Sequence, residues 1–256
     1  MPTSAPEPGS VSTSVADGVA TLRFAHPKGN SLPGALLARL AREVDELAAR
    51  AEARVIVVRS EGSGPFCAGA SFEELQRIAD PAAGKEFFMG FARLILAMRR
   101  CPKPIITRVH GKAVGGGVGV IAASDYAIAV NTAAARLSEL AVGIGPFVVG
   151  PVIERKIGTG AFAAMAIDAG WRDAAWAERH GLYARLCGSV TELDEQVDAL
   201  AATLARSNPD ALAGIKQVVW QGTEGWDRLL EERAEMSGRL VLSDFTRQAI
   251  AAFGRG

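Results

Sequence analysis

GKAVGGGVGV, residues 111–120, follows directly on the apolar run IITRV (105–109) and places five glycines in ten positions. Glycine in a structured segment costs backbone entropy, so such a run implies that something approaches too closely for side chains. VGVIAAS (118–124) has the makings of a short helix, and YAIAV (126–130) is a short apolar run of the kind buried strands show. Strand, glycine turn, helix and strand in that order predict an α/β fold with parallel pairing.

The same alternation extends upstream. VSTSVADGVATLRF reads as a hairpin closed by Asp17-Gly18. Pro33 opens a helix to about Arg50, with Leu36, Leu37, Leu40, Val44 and Leu47 at helical spacing. VIVVRS (55–60) is a buried strand, EGSGPFCAGAS a second glycine-rich loop, FEELQRI the start of a helix, and 84–100 another helix ended by Cys101-Pro102-Lys103-Pro104. From about Val149 only a short strand near Leu182–Leu186 is expected, and the remainder is helical, with Asn208-Pro209 marking one turn. The division expected is a disordered tail over 1–10, an α/β core over 11–190 and a helical region over 191–256.

Composition narrows the function classes. The 256 residues carry 28 basic and 28 acidic side chains, leaving no bulk field to draw nucleic acid or an anionic membrane. MPTSAPEPGS has no apolar stretch resembling a signal peptide, and no charge-free apolar run reaches membrane-spanning length. Cys67, Cys101 and Cys187 are scattered and odd in number, and the histidines are His26, His110 and His180. A zinc site or disulfide framework is not expected, and a reducing cytoplasm fits.

Three readings of the glycine run compete. Gly117-Val-Gly119-Val-Ile-Ala122 fits G-x-G-x-x-A, but the next strand ends on Asn131 where a dinucleotide site needs an acid, and the helix is short for a crossover. Alternatively, glycines at a helix N-terminus let N–H groups face an anion or developing oxyanion, and CAGAS (67–71) supplies a second such loop. The third reading is close helix–strand packing with no ligand.

GNSL, PFCAGASFEEL, CPKPIITRVHGKAVGGGVGVIAASDYAIA and SELAVGIGP, with WRDAAWAERHGLYARL and SDFTRQAIAAF after them, resemble the enoyl-CoA hydratase/isomerase (crotonase) superfamily. The matches run in order through nearly the whole chain after the tail. The resemblance implies a spiral of ββα-type units followed by helices for trimerisation, an acyl-CoA thioester as substrate, and self-association as a trimer or dimer of trimers. It implies no metal and no separate cofactor, coenzyme A entering with the substrate; the charge balance and the lack of a spanning run are what argue against a nucleic acid or membrane partner.

Carried onto this chain, the resemblance makes the backbone N–H groups of Ala70 and Gly116 the donors that hold the thioester oxygen, which stabilises an enolate-like transition state. Glu139, ahead of the apolar Leu140-Ala-Val-Gly-Ile-Gly-Pro, is the acid/base, and desolvation there would raise its pKa. A second family glutamate has no counterpart here; its position is Gly119. The activity expected is hydration or double-bond isomerisation of an enoyl-CoA; one carboxylate tilts it towards isomerisation, or towards hydration with an unusual second group, for which the nearest other acids by sequence are Glu73 and Glu74. Substrate-binding candidates are Lys28, Ala68, Gly69, Ser71, Phe72, Gly115, Gly119 and Phe147, with Leu75 and Val148 as further apolar lining; Lys28 is offered to a CoA phosphate. His110 is open to either a turn or a pocket role. The alternative function is a non-catalytic acyl-CoA- or RNA-binding homologue that kept the fold.

Overall fold

The hairpin forms on the turn its sequence encodes. In the computed structural model, which describes residues 9–253, β1 (Ser10–Ala16) and β2 (Val19–Ala25) pair antiparallel. Asp17 and Gly18 both take positive φ, 49° and 80°, as a two-residue turn matched to strand twist requires. Of the expected tail, 1–8 lie outside the described residues, and Ser10 already stands in β1.

The chain continues through α1 (Gly34–Ala49), whose buried stripe is Leu36, Leu37, Leu40, Ala41, Val44 and Leu47, and β3 (Val55–Ser60). Then come α2 (Phe72–Arg77) and α3 (Pro81–Arg100). The α3 helix begins three residues before the expected Gly84, because the Asp80 carboxylate accepts from the Ala83 N–H at 2.9 Å and Pro81 fills the first turn. β4 (Ile105–Val109), β5 (Ala113–Val114), α4 (Gly116–Ala123), β6 (Tyr126–Val130) and β7 (Ala134–Arg136) follow.

The second half contains α5 (Gly150–Ile157), α6 (Thr159–Asp168), β8 (Arg172–Asp173), α7 (Ala174–Arg179), β9 (Arg185–Cys187), α8 (Val190–Arg206), α9 (Pro209–Val219), α10 (Trp226–Leu240) and α11 (Asp244–Phe253). Strands β5, β7 and β8 were not anticipated. At two or three residues they are too short for an alternating pattern, and only their pairing defines them.

Among the described residues a six-stranded sheet runs β1-β2-β3-β4-β6-β9, parallel after the opening hairpin, and a small second sheet runs β5-β7-β8. Helix α8 packs across β3, β4 and β6, and the buried Arg108 of β4 reaches Asp194 on it. Helix α10 lies along α3. A Cβ on Gly84 would stand 2.7 Å from the Gly238 carbonyl oxygen, so these helices meet backbone to backbone.

Candidate active site

Three short parallel segments lie side by side and aim their exits at one place. Cys67 bridges Ala113, and Ala113 pairs with Ala135 in β7. The Cys67 N–H donates to the Lys112 carbonyl at 3.2 Å, the Val114 N–H to the Cys67 carbonyl at 2.9 Å, and the Gly115 N–H to the Arg136 carbonyl at 2.8 Å. Three residues beyond each partner stand Ala70, Gly116 and Ser138, with Glu139 next. All four line one cavity of about 310 Å³.

Each glycine of the run has its own close neighbour, so the opening motif serves packing and site geometry together. A Cβ on Gly111 would lie 2.6 Å from the Gly64 carbonyl oxygen, and one on Gly117 would lie 2.7 Å from the Cys67 Cβ. A Cβ on Gly116 would fall 2.0 Å from the Phe91 ring of α3. The ring of this protein itself, therefore, is what excludes a side chain at 116. Gly115, at φ 50°, faces the carboxyl group of Glu139, whose Oε1 would lie 2.8 Å from a Cβ there.

Gly116 opens α4, where the first N–H groups have no intrahelical acceptor. Among the described residues, neither its N–H nor that of Ala70 donates a hydrogen bond to a loop carbonyl. Two donors with open valence and a carboxyl group thus share the cavity wall.

Glu139 precedes a 3-10 turn, Leu140–Val142, which Gly143 ends in the left-handed region at φ 79°. That turn is backed by α11, since a Cβ on Gly143 would sit 2.5 Å from Phe245 and from Thr246. The residue is half-buried, but its carboxyl group is buried and Oε2 has no hydrogen-bond partner. Burial pushes its pKa up from the ordinary 4.5 to about 7, with the backbone at Glu139 and Ser138 pulling the other way.

The place of the absent second carboxylate is filled. A Cβ on Gly119 would stand 2.6 Å from Cγ1 of Val149 and 2.9 Å from its Cβ. Gly119 is buried beneath that side chain and does not line the cavity, whereas Val149 does.

Among the other sequence candidates, Ala68, Gly69, Phe72, Leu75, Gly115, Phe147 and Val148 line the cavity. Ser71 instead caps α2, its hydroxyl accepting from the Glu74 N–H at 3.4 Å. Lys28 lies outside the cavity and pairs with Glu73 on the surface. Glu74 accepts from the Gly34 N–H at 2.7 Å, so both acids nearest in sequence are engaged elsewhere. His110 does not line the cavity; burial, then Arg108 and Arg59, holds its pKa below the ordinary value.

Sequence reasoning missed Phe88 and Phe91 of α3, Arg136, Trp171, Val149 and Ser237, all of which line the cavity. The two phenylalanines sit three apart on an amphipathic helix, a pattern identical to ordinary core. Trp171 is 44% exposed, with Lys112 Nζ 5.2 Å and the Arg136 guanidinium 5.9 Å from its ring centre. Among the described residues no cluster of three or more His, Cys, Asp or Glu could hold a metal ion, and no helix is long and apolar enough to cross a membrane.

Comparison with known proteins gives consistent matches. The family model described as Enoyl-CoA hydratase/isomerase matches residues 14–253. A Bacillus subtilis protein named "Probable enoyl-CoA hydratase" is 29% identical over 246 residues, 95% of each chain. A trans-2-decenoyl-[acyl-carrier-protein] isomerase of Streptococcus mutans is 23% identical over 248 residues, 93% of this chain and 92% of that one. The crystal structure of an enoyl-CoA hydratase from Mycobacterium avium superposes with a TM-score of 0.84 at 27% identity, covering 96% of both chains.

Proposed function

The chain belongs to the enoyl-CoA hydratase/isomerase family, and from that membership we propose an activity: migration of the double bond of an enoyl-CoA thioester, with Glu139 carrying the proton. The thioester oxygen is held by the Ala70 and Gly116 N–H groups. Glu139 as carboxylate takes a proton from C2 of a 3-enoyl thioester. A double bond forms between C2 and C3, the one between C3 and C4 breaks, and the same carboxyl group returns the proton to C4. Charge that develops on the thioester oxygen meets two preoriented donors, each worth roughly 3 kcal/mol in the transition state.

The observation that carries this reading over hydration is Val149 on Gly119. Adding water to the double bond calls for a group to activate the water as well as one to handle the carbon-bound proton. Where the second carboxylate would stand there is a valine side chain. A carboxyl group with a pKa of about 7 is also suited to taking and returning one proton near neutrality.

The same reading extends to self-association as a trimer or dimer of trimers, for which the exposed Ile215, Val218 and Val219 of α9 offer apolar surface, and to a reducing cytoplasm that keeps the three buried cysteines as thiols. Light scattering on the purified protein measures the first. The activity is tested by incubation with 3-enoyl- and 2-enoyl-CoA of several chain lengths, comparing wild type with Glu139→Gln. Unchanged mass with shifted retention, lost in the variant, is the expected result. A product heavier by one water would make the enzyme a hydratase, and no turnover across the panel would favour the non-catalytic homologue.

A further inference from the structure

Among the described residues, two buried side-chain polar atoms without a hydrogen-bond partner belong to residues lining the cavity: Glu139 Oε2 and Ser237 Oγ. The first is the proton carrier proposed above. The second has no part in that chemistry. Ser237 is 1% exposed, and among the described residues it is the one residue of α8–α11 that lines the cavity.

A helical serine or threonine commonly returns its hydroxyl to the carbonyl one turn back. In this chain Thr203 does so to Ala199 at 2.9 Å, and Ser207, at the end of the same helix, to Thr203 at 3.0 Å. Ser237 makes no such bond. Its helix is also fixed in place: Gly84 and Gly238 are in backbone contact, and Lys85 of α3 pairs with Glu231 and Glu235 of α10 at 2.6 and 2.7 Å. Helix α10 therefore cannot turn to hide the hydroxyl without breaking that seam.

We infer that Ser237 determines substrate specificity, its hydroxyl bonding an uncharged oxygen, a ketone or an alcohol, carried on the acyl chain away from the thioester. The distance follows from α3. Gly84 meets α10 and Phe91 meets Gly116, and seven residues of helix place those two levels roughly 10 Å apart. The preference for an uncharged oxygen follows from the lining α3 gives the cavity, Phe88 and Phe91, among which a charged group would lose its hydration; the cavity's Arg136 belongs to β7 and is engaged with the Ala169 carbonyl and the Trp171 ring. An oxygen delivered there gains a partner, while a plain hydrocarbon leaves the hydroxyl unbonded.

This inference rests on acyl-CoA binding but not on which reaction follows, so its test uses unreactive saturated ligands. Octanoyl-CoA and its 5-, 6- and 7-oxo derivatives are titrated calorimetrically into wild type, Ser237→Ala and the near-isosteric Ser237→Cys. One oxo isomer is expected to bind wild type roughly three- to tenfold tighter than octanoyl-CoA, the range of one neutral hydrogen bond. Both variants lose that preference, binding octanoyl-CoA and its oxo derivatives alike, and melt no lower than wild type. Equal binding of all four ligands by wild type, or a preference retained in Ser237→Ala, overturns the role of Ser237 alone. Failure of every acyl-CoA to bind overturns the family-based substrate reading and this inference with it.

Discussion

The side chain of Val149 occupies the space a Cβ on Gly119 would need, its Cγ1 lying 2.6 Å from that position. The glycine and the valine thus form one feature: the glycine leaves room on α4, and the valine, 30 residues on, fills it with apolar bulk.

Restoring a carboxylate at 119 alone is therefore expected to damage the fold without changing the reaction. Gly119→Glu should lose about 1–3 kcal/mol of stability through overpacking, read from urea melts. Gly119→Glu with Val149→Gly should recover much of that loss, and the double variant is the one in which a water adduct is sought.

As the proposed proton carrier, Glu139 is expected to set the pH profile. With its pKa raised to about 7, the carboxylate that starts the reaction accumulates only as pH rises through 7, so kcat/KM should climb across that range and level off above it. Stability runs the opposite way. The unfolded chain releases this proton near 4.5 and the folded protein near 7, so stability falls as pH rises between those values and is flat above. Glu139→Gln should abolish that decline, an effect of at most roughly 3 kcal/mol, measurable by denaturation at pH 5 and pH 8.

Gly115→Ala should separate binding from chemistry. The new Cβ would meet Glu139 Oε1 at 2.8 Å and a backbone φ of 50° that alanine resists, so the carboxyl group moves. A displacement of this order can lower kcat roughly 100-fold, while affinity for a saturated acyl-CoA should change little.

The seam between α3 and α10 should tolerate no added atoms. Gly84→Ala drives a methyl group against the Gly238 backbone, which has no side-chain freedom with which to yield. A loss of about 1–3 kcal/mol is expected in urea unfolding.

Cysteine labelling reports on the core. Cys67, Cys101 and Cys187 are all buried, and burial pushes the Cys67 thiol up to about 12, so it carries almost no thiolate at pH 8. A thiol reagent should label none of the three in the native protein and all three in denaturant.

Much of this was legible in the chain itself. The Asp17-Gly18 turn, the buried strands 55–60, 105–109 and 126–130, and the amphipathic stripe of α1 follow from local backbone preference and hydrophobic periodicity, which neighbouring residues carry. The two glycine loops and Glu139 were also visible as candidates, because glycine in a run and a carboxyl beside apolar sequence are chemically unusual.

What pattern reading could not reach are contacts between residues far apart in the chain. The pairing of Cys67 with Ala113 and Ala135 brings three loops to one cavity through strands too short to show a period. Phe91 against Gly116 and Val149 against Gly119 link segments 25 and 30 residues apart, and Ser237 joins a cavity whose other lining residues all lie at least 66 residues before it, through side chains that locally read as ordinary core or helix surface. The sequence determined the longer elements and marked the candidate groups, because both are properties of short stretches. Tertiary packing decided which side chain fills the space beside each glycine, because steric exclusion exists only once the elements have met.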